Sequence, residues 1–334
     1  CQWENSFVRL FHWVTAVRDP VRFPAAAFHT KPLHQSYKST FPAVDKMLSE
    51  IHDQGLGIVL DKPVLFATQS THVADFKWTW KKDKRKGRQL TDITYCAPPS
   101  LNGDWASAAA AEMYGSITHP TIVQIVIMVL DAWDLAQVQH PADSPNPAIW
   151  EEMRFWKVDV KGAFTWLDFH PSEVRYMCGL MADDKVFCSL VGVFGASVLP
   201  FAFNVFSKAY RYEVAITSKG KTEIYSDDGV GCVLERYLTF EMKNSQTVIE
   251  KIFGEDSVEE SKNVSGTIVD VIGWILNMEL KTVSISSKNL DKAMFCLFNI
   301  DLPKDVSLLQ LQKVSSYCSR YVVILEVMAP FLAC

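Results

Sequence analysis

The chain has 334 residues, 49% hydrophobic and 21% charged. These ordinary globular proportions exclude disorder, collagen and coiled coil, and the length allows about two domains with a sizeable core. A net charge of −5 excludes a generally basic nucleic-acid binder, so any such function must come from a local cluster.

Eight cysteines are scattered along the chain with no CxxC pair and no Cys/His spacing that fits zinc. That usage reads as free thiols in a reducing compartment, so the expected location is intracellular, cytoplasmic or nuclear, and not secreted. The sequence opens on Cys1 without a basic-then-apolar leader and reads as a fragment of a longer reading frame. In chain order, Val44, Met47, Leu48 and Ile51 recur at helical spacing and predict a helix over 41–54, followed by a short strand at 58–60. Residues 76–95 alternate around a charged turn and predict a β-hairpin with a basic tip. An apolar run predicts a helix over 121–138, and a short buried strand follows at 155–160. Pro171, Ser172 and Glu173 predict the start of a helix over 171–179. Residues 186–206 are 21 consecutive uncharged residues, long enough to cross a bilayer. Gly192, Gly195, Pro200 and Asn204 interrupt them, so a strand over 186–191 and a helix over 198–210 are expected, with no membrane as partner. Strands at 222–225 and 230–233 flank Ser226-Asp227-Asp228-Gly229, where Asp and Gly suit a tight turn. A helix over 234–253, strands at 267–275 and 282–285, and helices over 287–298 and 307–317 complete the reading.

Two acidic sites stand out: Asp159 at the end of an apolar strand, and Asp227-Asp228 at the tip of a hairpin. Like charges within about 4–6 Å raise a carboxyl pKa unless a cation neutralises them. Carboxylates gathered by two strands suit hard divalent cations such as Mg²⁺. Two such ions about 3.5–4 Å apart can activate a hydroxyl and stabilise a leaving group.

These pieces resemble the fingers and palm of a retroelement reverse transcriptase, closest to the DIRS-type and Gypsy-type groups. Asp159 with Phe164 resembles the first palm motif, and Tyr225-Ser226-Asp227-Asp228 the Tyr-x-Asp-Asp motif. Phe194-Gly195-Ala196-Ser197-Val198-Leu199-Pro200 with Phe203 resembles the FGxSxxPxxF segment. Lys81-Lys82-Asp83, Gly87-Arg88-Gln89-Leu90-Thr91-Asp92 and Ser100-Leu101-Asn102 resemble the fingers hairpin. Lys262-Asn263 and Ile272-Gly273-Trp274 resemble two later palm motifs, and the order is right over residues 40 to 320. Departures are Val193, where the family usually has Pro, and a short segment between Pro200 and the Asp pair.

The resemblance implies an α+β right-hand polymerase fold, with an antiparallel palm sheet backed by helices. It places an N-terminal extension and fingers in 1–105 and the palm in 106–280, with a fingers insertion at about 171–195. A C-terminal helical segment over 281–334 would begin the thumb or connection. It implies an RNA-directed DNA polymerase that extends a primer 3′ hydroxyl on an RNA or DNA template with deoxynucleoside triphosphates. Asp159, Asp227, Asp228 and the Val160 carbonyl would hold two Mg²⁺, or Mn²⁺, ions. Lys262 would protonate pyrophosphate; Lys81 and Arg88 would grip the triphosphate; Phe164 would exclude a 2′ hydroxyl. Phe194 and Gly195 would line the nucleotide pocket, and Gly273-Trp274 would grip the primer. Residues 77–88 carry seven cations against Asp83 alone, a field suited to steering phosphates. The alternative is a degenerate, catalytically silent module of the same shape that binds nucleic acid or protein.

Overall fold

The structure, a computed structural model, describes residues 35–68, 73–80, 87–93, 102, 104–139, 149–298 and short pieces of 307–316. Helix α1 (Phe41–Asp53) leads into β1 (Gly57–Asp61), then β2 (Val73–Trp80), β3 (Gly87–Asp92), α2 (Asp104–Tyr114) and α3 (Ile122–Gln139). Strand β4 (Met153–Asp159) precedes β5 (Cys178–Leu180), β6 (Lys185–Ser189) and α4 (Leu199–Thr217). Then come β7 (Lys221–Tyr225), β8 (Asp228–Leu234), α5 (Glu235–Phe253) and β9 (Val264–Gly266). Strands β10 (Ile268–Val271), β11 (Trp274–Asn277) and β12 (Thr282–Ile285) precede α6 (Ser287–Phe298). The chain folds as two compact units, each assembled from separate stretches.

The first unit comprises Cys1–Thr118, Val160–Tyr212 and Ile249–Ser257. Its sheet runs β1-β6-β5-β2-β3 and is antiparallel except where β2 meets β5. Helix α1 covers it because Val44 and Leu48, one turn apart, are buried against Phe76, Trp78 and Phe187. Gly179 in β5 makes room for this packing: a Cβ there would stand 2.1 Å from the Phe76 ring. A second cluster pairs Cys178 with Cys188, free thiols whose sulfurs lie 3.1 Å apart across β5 and β6.

The second unit comprises His119–Asp159, Glu213–Val248 and Val258–Cys334. Its main sheet runs β7-β8-β4-β9, antiparallel throughout, and β10-β11-β12 form a second antiparallel sheet. Pairing Met153 with Leu234 and Phe155 with Cys232 sets one apolar face, since alternate residues share a face. Ile125, Met128 and Val129 of α3 pack onto that face, joined by Trp274 and Leu276 of the second sheet. Helix α3 is long and apolar enough to cross a membrane by composition, at a mean hydropathy of 1.4; here its inner face is part of this core. The buried Glu241 of α5 fastens the end of α4: its carboxylate accepts from the Lys219 N–H and, at 2.8 Å, from the Ser218 hydroxyl.

The stretch 186–206 is a strand, a loop and the start of a helix, as the interrupting Gly and Pro residues predict. Two expected elements differ. The helix over 171–179 stops at Val174, and Cys178–Leu180 become a strand because their backbone pairs with β6. The strand over 267–275 is a hairpin, turned by Ile272 and Gly273 at φ 49° and 83°. An isoleucine at positive φ is a poor turn signal, which hides this turn in the sequence. Helix α2 carries no strong periodicity, and the sequence does not predict it. The predicted helix over 307–317 lies largely outside the described residues.

Candidate active site

The carboxylates meet where β7, β8 and β4 end. Tyr225 pairs with Asp228, so the hairpin turns on only two residues, Ser226 and Asp227. Ser226 carries the positive φ, 59°, and neither Asp nor Gly does, which corrects the expectation for this turn. Positive φ at the first central residue alone matches the type II′ geometry that follows strand twist. The tight turn places Asp227 at the tip and starts β8 at Asp228, whose direct cross-strand partner is Asp159. Two strands thus deliver three aspartates to one end of the sheet.

Asp159 is 1% exposed. Burial pushes its carboxyl above the usual range; Lys262 pulls it back through hydrogen bonds, and the Asp228 charge pushes it further up. Asp227 is also raised, by burial first and then by the charges of Asp228 and Asp159. The three groups therefore feel one another electrostatically.

Two lysines answer them. The Lys262 ammonium donates to both Asp159 oxygens, at 2.7 and 2.5 Å. Strand β9 explains the reach: it pairs with β4 on the side opposite β8, Val264 against Lys157, and Lys262 stands two residues earlier. The Lys262 pKa is raised, because its bonds to Asp159 and the three carboxylate charges outweigh desolvation. Lys157 donates to Asp228 at 2.9 Å. It lies on the same face of β4 as Asp159, diagonal to Asp228. Sequence reasoning misses Lys157, although its two-residue spacing from Asp159 on a strand is the available signal. Nearby, His119 stacks on Tyr225, ring centroids 4.4 Å apart.

The donors suit a hard divalent cation: mutually repelling carboxylate oxygens, buried at Asp159 and half-buried at Asp227 and Asp228. As they stand, Asp159 and Asp228 are held by lysines, and among the described residues no three His, Cys, Asp or Glu side chains form a ready ligand group. Val160 follows Asp159 in the chain and is buried.

The remaining predicted residues divide between the units. In the second unit, Trp274 is 3% exposed and belongs to the core. What this hairpin displays is the Ile272-Gly273 turn; the Gly273 carbonyl accepts from Asn289 at 3.2 Å. In the first unit, the Phe164 and Phe194 rings stand 5.3 Å apart. The Thr91 N–H donates to the Phe194 carbonyl at 2.8 Å, tying the Phe194-Gly195 loop to β3, the strand that contains Arg88. Asn102 clasps the same loop, donating to the Gly195 carbonyl and accepting from the Ser197 N–H at 2.9 Å. Three segments that are distant in sequence are thus assembled together. Gly195 has φ 115°, and a Cβ there would stand 2.1 Å from the Thr91 carbonyl oxygen. Lys81 and most of the basic tip lie outside the described residues.

The sequence matches no family model and no curated protein. Among solved structures, the fold matches foamy viral protease-reverse transcriptase in complex with double-stranded DNA. That match has a TM-score of 0.59 and 11% identity, over 90% of this chain and 43% of the other. The same enzyme with an RNA/DNA hybrid matches at a TM-score of 0.52 and 13% identity, over 93% and 35% of the two chains. A further double-stranded DNA complex matches at 0.51 and 13%, over 89% and 52%. The chain spans about half or less of the structures it matches. At this identity the likeness is one of fold: an α+β, reverse-transcriptase-like polymerase fold.

Proposed function

We propose that the chain is the fingers and palm portion of an RNA-directed DNA polymerase of a retrotransposon, of DIRS or Gypsy type. It would add deoxynucleotides to a primer 3′ hydroxyl on an RNA or DNA template. The observation that carries this reading is the cross-strand pairing of Asp159 with Asp228, with Asp227 in the adjoining turn, within a polymerase-like fold. Nothing else in an ordinary sheet calls for three aspartates at one strand end, where their charges oppose one another.

Asp159, Asp227 and Asp228, with the Val160 carbonyl, would hold Mg²⁺ or Mn²⁺. When bound, such ions supply charge that activates a hydroxyl and stabilises a leaving pyrophosphate. The chain's own residues carry the rest of the reading. Lys262 stands within hydrogen-bond reach of Asp159 and would donate a proton to pyrophosphate. Arg88, with Lys81, would hold the triphosphate, since a guanidinium binds phosphate oxygens in pairs. Phe164, braced by Phe194, would close the space a 2′ hydroxyl needs. The Gly273 turn would meet the primer backbone.

A second reading, a silent nucleic-acid-binding module, is favoured by one feature: lysines already neutralise two of the three aspartates. Primer extension on a heteropolymeric RNA template separates the two. Template-dependent extension that disappears in Asp227→Asn supports the polymerase. Template binding without extension supports the silent module.

A further inference from the structure

Asp159 is buried while the Lys262 side chain that binds it is 58% exposed. The pair is therefore unequal. A buried carboxylate needs a cation beside it, because an unpaired charge in a low-dielectric site is costly. An exposed ammonium on a four-carbon stem can be taken up by water at little cost. Lys262 also stands on a short turn, Glu260–Lys262, ahead of the edge strand β9, and not inside a ladder. Lys157 differs: its side chain is only 19% exposed, and it sits mid-strand between Phe155 and Asp159. One cation can leave the cluster, and the other is fixed within it.

We propose that Lys262 is a displaceable internal counter-ion: it occupies Asp159 in the cation-free protein and must swing into solvent for a divalent cation to bind there. This rests on the polymerase reading of the carboxylate site. Lysine and metal compete for the same two oxygens, so the site does not carry an unpaired buried charge between turnovers. In this account Lys262 is a positioning residue of the resting protein, whatever proton it gives later.

The test is Mn²⁺ binding to the full chain, without nucleotide or template, followed by the electron paramagnetic resonance signal of free Mn²⁺. Lys262→Gln removes the competitor and should bind Mn²⁺ roughly tenfold tighter or more, the scale of one charge-assisted hydrogen-bonded contact. Lys262→Arg keeps the charge and grips a carboxylate with a planar fork, so it should bind no tighter than wild type. Mn²⁺ should raise the melting temperature of Lys262→Gln more than that of wild type. Asp159→Asn should lose the site in either background. If Lys262→Gln binds with wild-type or weaker affinity while Asp159→Asn loses binding, the counter-ion idea falls and the polymerase reading stands. If no variant binds Mn²⁺ above the Asp159→Asn background, both fall. If Lys262→Gln does not fold, the arginine variant decides: tighter binding than wild type overturns the proposal.

Discussion

Gly195→Ala probes the loop where three motifs meet. At φ 115° an alanine is strained, at a cost of about 1–3 kcal/mol. Its Cβ would lie 2.1 Å from the Thr91 carbonyl oxygen. That neighbour is backbone in a paired strand, so it cannot rotate aside, and overpacking adds about 1–3 kcal/mol. The expected loss is roughly 2–6 kcal/mol, a large share of the 5–15 kcal/mol typical of a folded domain. At roughly 2–4 °C per kcal/mol for chains of this order, the melting temperature should drop by about 5–20 °C. Gly55→Ala is the control, since Gly55 has φ 74° and an added methyl group there would meet nothing within 4 Å; it should lose only about 1–2 kcal/mol from strain. Thermal melts of both variants by circular dichroism measure the difference. A Gly195→Ala protein that melts within a degree of wild type, or no lower than Gly55→Ala, refutes the close approach of the loop to β3.

Asp227→Asn should change how stability depends on pH. The folded-state pKa of Asp227 is raised, so above the ordinary Asp value near 4 the native state binds more protons than the unfolded state, and stability falls as pH rises through that window. The asparagine variant, melted without divalent cations from pH 4 to 8, should match or exceed wild type near neutrality and lose that advantage toward pH 4; a variant markedly less stable at pH 7 contradicts this. Glu241→Ala should cost about 1–3 kcal/mol in chemical denaturation, because it removes the buried acceptor shared by the part-buried Lys219 N–H and Ser218 hydroxyl. Glu241→Gln, which keeps an acceptor, should lose less; equal losses would point to packing alone.

The sequence carried the strands and helices whose signals are local. Val44, Leu48 and Ile51 mark α1 by spacing, and the Asp pair marks a turn between two apolar strands. The pairing of Asp159 with Asp228 was legible because a strand-end aspartate and a hairpin-tip pair fit one sheet. Other features depended on partners that no local pattern shows. Cys178–Leu180 look helical after Pro171, yet β6 recruits them as a strand. Ile272 sits in a turn because β10 and β11 pair around it, against its own preference. Lys157 reads as one more surface lysine until β8 sets Asp228 beside it. Glu241 reads as an ordinary helix glutamate until the end of α4 turns its N–H groups toward it. Trp274, which the resemblance assigns to the primer grip, has its side chain in the core.

The proposed role of Asp159, Asp227 and Asp228 is nucleotidyl transfer. Its most direct test is single-nucleotide incorporation onto an RNA-templated DNA primer with Mg²⁺, alongside template binding by fluorescence anisotropy and melting on the same samples. Wild type should extend the primer, whereas Asp159→Asn and Asp227→Asn should fall to background while keeping template affinity and the melting temperature measured without divalent cations. Full incorporation by either variant, or wild type that binds template and never extends it, would contradict the claim.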